Sequence, residues 1–269
     1  IVPVTFNVWK KLMDCRLRLR VSVLSAALVC TVSALAQTSA SAQEGLPALP
    51  AIQVEPVPPK ATPQDRLIAK TIANQVPGLH ISGEQLDDTI SKRALDLYID
   101  RFDPLKLYFY QSDVESFREY RDQIDDMVKR GNLDLAYAIF NRFTLRVDER
   151  IAMALELLDT EFDFTKDEYI IVDADATSYA NTEAEARERW RRQIKYALLD
   201  LKDDDTVGEE ARELLRRRYK RYARRFRSYS NDDLLEAYLT SITNAFDPHS
   251  TYMSASTLDD FNISMKLEL

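Results

Sequence analysis

The chain has 269 residues and carries 36 Lys and Arg residues against 44 Asp and Glu residues, a net charge of −8. It contains only 5 Gly, whereas an average soluble protein has about 7% Gly. Glycine-rich phosphate loops and dinucleotide fingerprints are therefore not expected, and neither motif occurs in the sequence. A hydrophobic content of 45% with 30% charged residues is that of a globular protein, which excludes disorder throughout.

The first 42 residues have the pattern of an export signal. Met13 is interpreted as the natural start, so residues 1–12 are an upstream extension. Arginines at 16, 18 and 20 precede an apolar run over 21–36, and small residues suitable for cleavage lie at 34–36 and 40–42. This order predicts a secretory signal peptide over 13–42. A transmembrane anchor is the alternative, but about 16 apolar residues are fewer than the roughly 20 that a spanning helix needs.

Both cysteines, Cys15 and Cys30, lie within the predicted signal peptide. Cys30 would allow a lipid anchor, although Val29 stands where that processing needs a small residue. After cleavage no cysteine would remain, so the core would have to supply stability without disulfides. The remaining 31 basic and 43 acidic residues would give a charge of −12, which disfavours nucleic acid or an anionic membrane as a partner of the whole body.

Residues 43–63 are predicted to be a linker. Six of the ten prolines lie in this stretch. Proline fixes φ and removes a backbone donor, so the linker is expected to be extended and to lack helix or sheet hydrogen bonds.

Residues 64–256 have the periodicity of an α-helical domain. Thr62-Pro63 supplies an N-cap and a first-turn proline, and Pro77-Gly78 is predicted to end this first helix. Capping-box spacings at Ser82 and Ser112 predict two further starts. Apolar residues at helical spacing place the helices at 63–77, 82–102, 112–131, 133–160, 184–202, 207–228 and 232–246. The sequence therefore predicts an all-α body of about seven helices.

Residues 257–269 are predicted to form a short helix and then a β-strand. Apolar and polar residues alternate strictly from Phe261 to Leu269, which is the period of a half-buried strand. The run from Tyr169 to Val172 is the only other β-like segment, and nothing follows Leu269 to pair with the strand. We therefore expect that the chain was cut inside a larger protein.

The two histidines, His80 and His249, do not have the sequence spacing of metal ligands. No metal site and no cofactor is predicted. Asp247, His249 and Ser250 are the residue types of a serine hydrolase. Residues this close in sequence cannot easily align a nucleophile, its base and an orienting acid, so we favour a turn in which His249 or Ser250 makes local hydrogen bonds.

A strongly basic run occupies residues 212–227. Its nine Lys and Arg residues surround an apolar stripe made of Leu215, Tyr219, Tyr222 and Phe226. This spacing indicates one amphipathic helix. We favour ion pairs with acidic residues such as those at 203–205 and 232–233. A docking face for a protein or peptide and a nucleic-acid stripe are the alternatives.

Two segments of the chain repeat one pattern. In the first corner, residues 102–112, Phe102-Asp103-Pro104 is followed by Tyr108, Phe109 and Ser112. In the second corner, residues 246–256, Phe246-Asp247-Pro248 is followed by Tyr252, Met253 and Ser256 at identical spacing. A reused helix-loop-helix corner is the interpretation that we favour. A binding site that the two loops build together is the alternative.

These segments resemble a known family. The motifs at 102–109, 111–114, 246–254 and 261–265 look like the amino-terminal domain of tail-specific proteases, the carboxy-terminal processing serine peptidases. The similarity runs from about Gln64 to Leu269. In that family a helical amino-terminal domain precedes a PDZ domain and a protease core with a Ser nucleophile and a Lys general base. The resemblance implies that the strand at 261–269 enters the PDZ region.

The resemblance also implies an exported, periplasmic part of a serine endopeptidase that acts on proteins with suitable carboxyl-terminal tails. Its partners would be protein substrates, the parent's own PDZ and protease regions and, as a further candidate, an adaptor protein. The catalytic Ser and Lys are expected beyond Leu269, because Ser254, Ser256 and Lys266 precede the expected PDZ position. No catalytic residue is therefore assigned, and the chain would be catalytically incomplete. A stand-alone helical interaction protein of the cell envelope is the alternative.

Overall fold

The computed structural model describes residues 59–267, so the predicted extension, the signal peptide and most of the linker lie outside the described residues. The described part is helical. Its elements are α1 Pro63–Leu79, α2 Asp88–Phe102, α3 Gln111–Arg118, α4 Ile124–Lys129, α5 Asp134–Leu158, α6 Glu183–Asp203, α7 Gly208–Arg227, α8 Asn231–Phe246 and α9 Ala255–Leu267. The predicted all-α class is confirmed.

Helices α2 and α8 pack closely against each other and run antiparallel. Arg93, in the first half of α2, donates from Nη1 to the carbonyl of Ala245 at the end of α8, at 3.3 Å. Further along α2, the ring of Tyr98 meets the ring of Tyr238 edge-on, with centroids 5.2 Å apart. Helix α5 packs against α6 and α7, and α1 packs against α4.

An aromatic cluster around Phe143 joins several of these elements. Phe143 lies in α5 and is fully buried. Its ring centroid is 5.2 Å from Phe102, 5.4 Å from Tyr108, 5.6 Å from Phe109 and 4.8 Å from Phe226. Burial of each large apolar side chain contributes about 1.5–3 kcal/mol, so this cluster fastens the end of α2 and the following loop to α5 and α7.

The predicted and observed helix starts agree best where a side chain near the start caps the helix. The predicted N-cap Thr62 accepts the Asp65 N–H at 3.2 Å, and the Asp65 carboxylate accepts the Thr62 N–H at 2.7 Å. Ser230 and Asp233 make the same reciprocal pair at the start of α8, at 2.8 and 3.1 Å. Because these contacts span three residues, they depend on little besides the local sequence.

The predicted start of the second helix at Ser82 is wrong. The N-cap of α2 is Asp87, whose carboxylate accepts the N–H groups of Thr89 and Ile90 at 2.9 and 3.1 Å. Gly83 has φ +68, a left-handed conformation that an α-helix does not contain. The hydroxyl of Ser82 lies instead 2.8 Å from the imidazole of His80.

The single helix predicted over 112–131 is also wrong, because α3 and α4 are separated by a turn over 119–123. The start of α4 is set by a contact with α2. The hydroxyl of Ser91 donates to the Asp125 carboxylate at 3.1 Å and accepts the Asp125 N–H at 2.9 Å. This tertiary pair directs the chain away from a continuous helix. A smaller difference is that α1 continues two residues past Pro77, to Leu79.

The strand predicted over 261–269 is wrong for the described residues, because α9 extends to Leu267. A strand needs a partner for its backbone groups, and residues 59–267 contain no sheet that could supply one. The β-like run from Tyr169 to Val172 belongs to a loop. A helix bonds its backbone groups within the segment, which explains the observed conformation.

The predicted amphipathic character of residues 212–227 is confirmed in α7. Leu215 is fully buried, and Tyr219 and Phe226 pack against the core. Charged side chains occupy the opposite side of the helix. Among the helices of residues 59–267, none is sufficiently long and apolar to cross a membrane.

Gly131 provides a test of the packing between α1 and the end of α4. It has φ +74, and a Cβ atom there would lie 2.6 Å from the carbonyl oxygen of Arg66. We expect Gly131→Ala to lower the free energy of unfolding in urea by at least about 2 kcal/mol, from backbone strain and steric overlap.

Gly78→Ala is the matched control, because a Cβ at Gly78 meets no atom within 4 Å. Since Gly78 lies in α1, Ala should leave stability unchanged or raise it by up to about 1 kcal/mol. Equal effects of the two substitutions would contradict the close approach at Gly131.

Candidate functional site

The first corner is built around a buried carboxylate. Asp103 is 1% exposed, and its oxygens accept the backbone N–H groups of Leu107, Tyr108 and Phe109 at 2.7, 2.9 and 2.9 Å. Burial raises the pKa of Asp103 to about 6, although these three donors favour the charged form. The carboxylate therefore folds the loop so that Phe109 enters the aromatic cluster.

Arg150 supplies a positive charge to the same region. Its side chain is 1% exposed, its Nη1 donates to the Tyr110 hydroxyl at 3.0 Å, and its guanidinium lies 4.2 Å from the Tyr110 ring centroid. The attraction of Arg150 acts to lower the pKa of Asp103. Nε and Nη2 of Arg150 have no hydrogen-bond partner among residues 59–267. Both side chains are enclosed by protein, so their contacts are part of the interior of the corner.

The second corner is more open. Asp247 is half-buried, and its Oδ2 accepts the His249 N–H and the Ser250 hydroxyl, each at 3.2 Å. Thr243 of α8 donates its hydroxyl to the Ser250 carbonyl at 2.8 Å. These contacts confirm the predicted turn with local hydrogen bonds. The repeated sequence pattern is thus used with a buried carboxylate in one corner and a solvent-accessible one in the other.

The two corners lie at opposite ends of the α2–α8 pair. Helix α2 ends in the first corner and α8 ends in the second, and the two helices run antiparallel. The first corner's Phe102 ring lies 6.2 Å from Tyr229, just before α8 begins, whereas Phe246 lies 5.3 Å from His80. The 15 residues of α2 span about 22 Å. The alternative of one binding site built by both loops is therefore wrong.

A serine and a histidine do meet at the second corner, although they are not neighbours in sequence. His80 Nε2 lies 3.0 Å from Ser250 Oγ, although the two residues are 170 positions apart in the chain. His249 is exposed, and only its backbone takes part in the turn. The sequence contained no local signal for this pair, because α1 and α8 meet only in the tertiary structure.

The hydrogen bonds around His80 decide what this pair can do. The Ser82 N–H donates to His80 Nδ1 at 3.2 Å, so Nδ1 must be an unprotonated acceptor. A neutral imidazole then carries its proton on Nε2, which donates to Ser250 Oγ, while the Ser250 hydroxyl donates to Asp247. A protonated Nε2 cannot remove the serine proton. The arrangement joins α1 to the second corner and is not an activated nucleophile.

Ser254 and Lys266, the other serine and lysine noted in the sequence, do not form a pair. The Ser254 hydroxyl accepts the Thr257 N–H at 3.3 Å, and Glu236 accepts the Ser254 N–H and the Thr257 hydroxyl at 3.0 and 2.7 Å. Ser254 therefore caps α9. Lys266 lies 12 residues further along this helix, which corresponds to about 18 Å.

The basic helix α7 uses only some of its charges within the described structure. Arg212 donates to the Thr160 carbonyl at 2.9 Å, Arg216 meets Asp159 at 2.5 Å and Arg227 meets Asp148 at 2.6 Å. The predicted partners at 203–205 and 232–233 are wrong, because the groups that pair with α7 come mainly from α5 and its carboxyl end. The other six cations have no ion pair within residues 59–267.

Within the part of the chain that the structure describes, no three His, Cys, Asp or Glu side chains approach as a metal site requires.

The pH dependence of the unfolding free energy tests the burial of Asp103 in the first corner. Its pKa is about 6 in the folded chain and about 3.9 in an unfolded one, so the folded state holds the proton more tightly. Tighter proton binding contributes about 3 kcal/mol to the free energy of unfolding below about pH 4, and this contribution is lost as the pH rises through 6. Relative to the D103N variant, the unmodified chain should therefore lose unfolding free energy over this interval, measured in urea at a series of pH values.

Asp113 is the matched control, since it is also buried. Arg146 donates to it from Nε and Nη2 at 2.7 and 2.9 Å. Burial alone would raise the pKa of Asp113, but the hydrogen bonds from Arg146 lower it. Relative to the D113N variant, the unmodified chain should lose stability as the pH falls below about 4. The same pH slope in both comparisons would contradict the assignment for Asp103.

The segments that match known proteins include most of the described helices. Residues 72–256 match the family described as the tail specific protease N-terminal domain. Over 230 residues the chain is 30% identical to the tail-specific protease of Haemophilus influenzae, and this alignment covers 82% of the chain and 33% of that protein. The chain thus spans about a third of the length of this curated relative. The chain belongs to the tail-specific protease family, and residues 72–256 correspond to its amino-terminal domain.

Proposed function

We propose that this chain is the amino-terminal helical part of an exported serine endopeptidase that cleaves proteins presenting suitable carboxyl-terminal tails. The single observation that carries the proposal is the family match over residues 72–256. The relative from Haemophilus influenzae, whose name describes a tail-specific protease, supports proteolysis as the activity of the parent.

The chemistry of the described residues supports a chain that is catalytically incomplete. In the proposed Ser/Lys mechanism, a lysine amine within hydrogen-bond reach takes the serine proton. Ser254 and Lys266 are about 18 Å apart along α9, and Ser250 faces a protonated imidazole nitrogen. We therefore assign the nucleophile and base of the parent to residues outside 59–267.

The helical domain would shape the substrate enclosure and hold the PDZ and protease regions in position. Its construction suits such a role. The α2–α8 pair is closely packed, the first corner is fixed by the buried Asp103, and the second is tied to α1 through His80. Protein substrates and an adaptor would then be recognised by the parent as a whole.

A cleavage assay tests this assignment. The purified full chain should leave an unstructured protein such as casein intact. A chimera of the Haemophilus influenzae protease, in which the aligned segment is replaced by the corresponding residues of this chain, should cleave a substrate with a suitable tail, because the helical domain restores the positioning of its other parts. Cleavage by the isolated chain would overturn catalytic incompleteness. A folded but inactive chimera would overturn the positioning role.

Export is proposed from the basic and apolar pattern of residues 13–42. Expressed from Met13 with a carboxyl-terminal tag in a bacterial host, the chain should accumulate in the periplasm and start after Ala36 or Ala42, as judged by intact mass. Replacing Arg16, Arg18 and Arg20 by Glu should retain it in the cytoplasm. An uncleaved product that stays cytoplasmic without these substitutions would contradict export.

A further inference from the structure

Helix α7 presents six cations that the described structure does not use. We call them the basic stripe: Arg217, Arg218, Lys220, Arg221, Arg224 and Arg225. Five are exposed and Arg218 is half-buried. None has an ion pair or a side-chain hydrogen bond within residues 59–267, whereas the remaining arginines of α7 are bound to the carboxyl end of α5, to Asp148 or to acids within α7 itself.

The basic stripe occupies one side of the helix. At about 100° per residue, its members fall within an arc of roughly 160°, opposite Leu215 and Phe226, which face the core. From Arg217 to Arg225 the stripe is about 12 Å long. Neighbouring cations are three or four residues apart, a spacing at which like charges repel. The surface is therefore suited to an anionic partner.

Interactions within the helix account for only part of this arrangement. A cation in the last turn is stabilised by the negative end of the helix dipole, which applies to Arg224 and Arg225. The effect falls off within one turn. It does not explain Arg217, Lys220 or Arg221, which lie further from the helix end.

We propose that the basic stripe binds an acidic polypeptide segment, rich in Asp or Glu, from another protein or protein region. Five of the six cations are arginines, whose planar guanidinium groups donate two parallel hydrogen bonds to a carboxylate. An extended segment of about four to six residues covers the length of the stripe. The partner is thus defined by closely spaced carboxylates over a short length.

The charge of the rest of the chain favours a short polypeptide over a broad polyanion. Apart from the stripe, the other 30 Lys and Arg residues are outnumbered by 44 Asp and Glu residues. A membrane surface or a nucleic-acid duplex extends well past about 12 Å, so it would also experience the net negative charge of the rest of the chain, which is screened over about 10 Å. In addition, Tyr219 and Phe226 pack against the core, so these rings are not offered for stacking on bases.

Binding of a labelled acidic peptide to the full chain tests the proposal. The probe is a fluorescein-labelled peptide with about six consecutive Glu residues, followed by fluorescence anisotropy at low salt. The variant R217Q/R221Q/R224Q should bind at least about tenfold more weakly, because three carboxylate partners are lost. Added NaCl should weaken binding of the unmodified chain.

The control variant is R118Q/R130Q/R187Q, which loses the same total charge. These arginines already pair with Asp96, Asp126 and Glu156, at 3.0, 3.5 and 3.0 Å. The variant should remain folded, since exposed ion pairs contribute little to stability. Because it keeps the basic stripe, its affinity for the Glu peptide should stay within about twofold of that of the unmodified chain. Equal weakening in both variants would show attraction to net charge alone and would overturn the proposal.

A variant with reversed charge separates loss of binding from loss of folding. R217E/R218E/K220E/R221E/R224E/R225E, in which all six positions of the basic stripe are negative, should bind a matched Lys peptide, which requires a folded and reversed stripe, and circular dichroism should show unchanged helix content. Failure to bind it in a folded variant would overturn the proposal. Tighter stripe-dependent binding to phosphatidylglycerol vesicles or to duplex DNA would do the same. Sedimentation at twice the monomer mass, abolished by the stripe substitutions, would assign the surface to a second copy instead.

Discussion

Burial of Phe143 among the rings of Phe102, Tyr108, Phe109 and Phe226 is the contact on which the described structure depends. These side chains come from α2, the first corner, α5 and α7, so one cluster sets the positions of four segments. The loop can supply Tyr108 and Phe109 only because the Asp103 carboxylate accepts three successive backbone N–H groups. A buried charge is thus retained where it shapes the chain that completes the core.

The second corner shows what the same local pattern does in another environment. Asp247 also accepts a backbone N–H of its turn, but it is half-buried and its second partner is the hydroxyl of Ser250. That hydroxyl meets His80 from the far end of α1. The direction of each hydrogen bond, fixed by the Ser82 N–H on Nδ1, separates a structural contact from a catalytic one. Residue types and distances alone would have left both interpretations open.

Membership of the tail-specific protease family gives these features a common context. The matched range, residues 72–256, contains both corners and the basic helix α7. Under the proposed positioning role, the domain would need rigid connections, which the two corners would supply, and surfaces for the other parts of the protease or for partners. The basic stripe is such a surface, because its cations are arranged on one side of a helix whose other side is committed to the core.

Local sequence determined the helical class, the caps at Thr62 and Ser230 and the amphipathic character of α7, because these depend on contacts three or four residues apart. The tertiary structure alone decided the break between α3 and α4, made by Ser91 and Asp125, and the pairing of His80 with Ser250. It also placed the two corners at opposite ends of an antiparallel helix pair. Such contacts join residues that are distant in the chain, and a periodic pattern records which side of a helix is buried but not what lies against it.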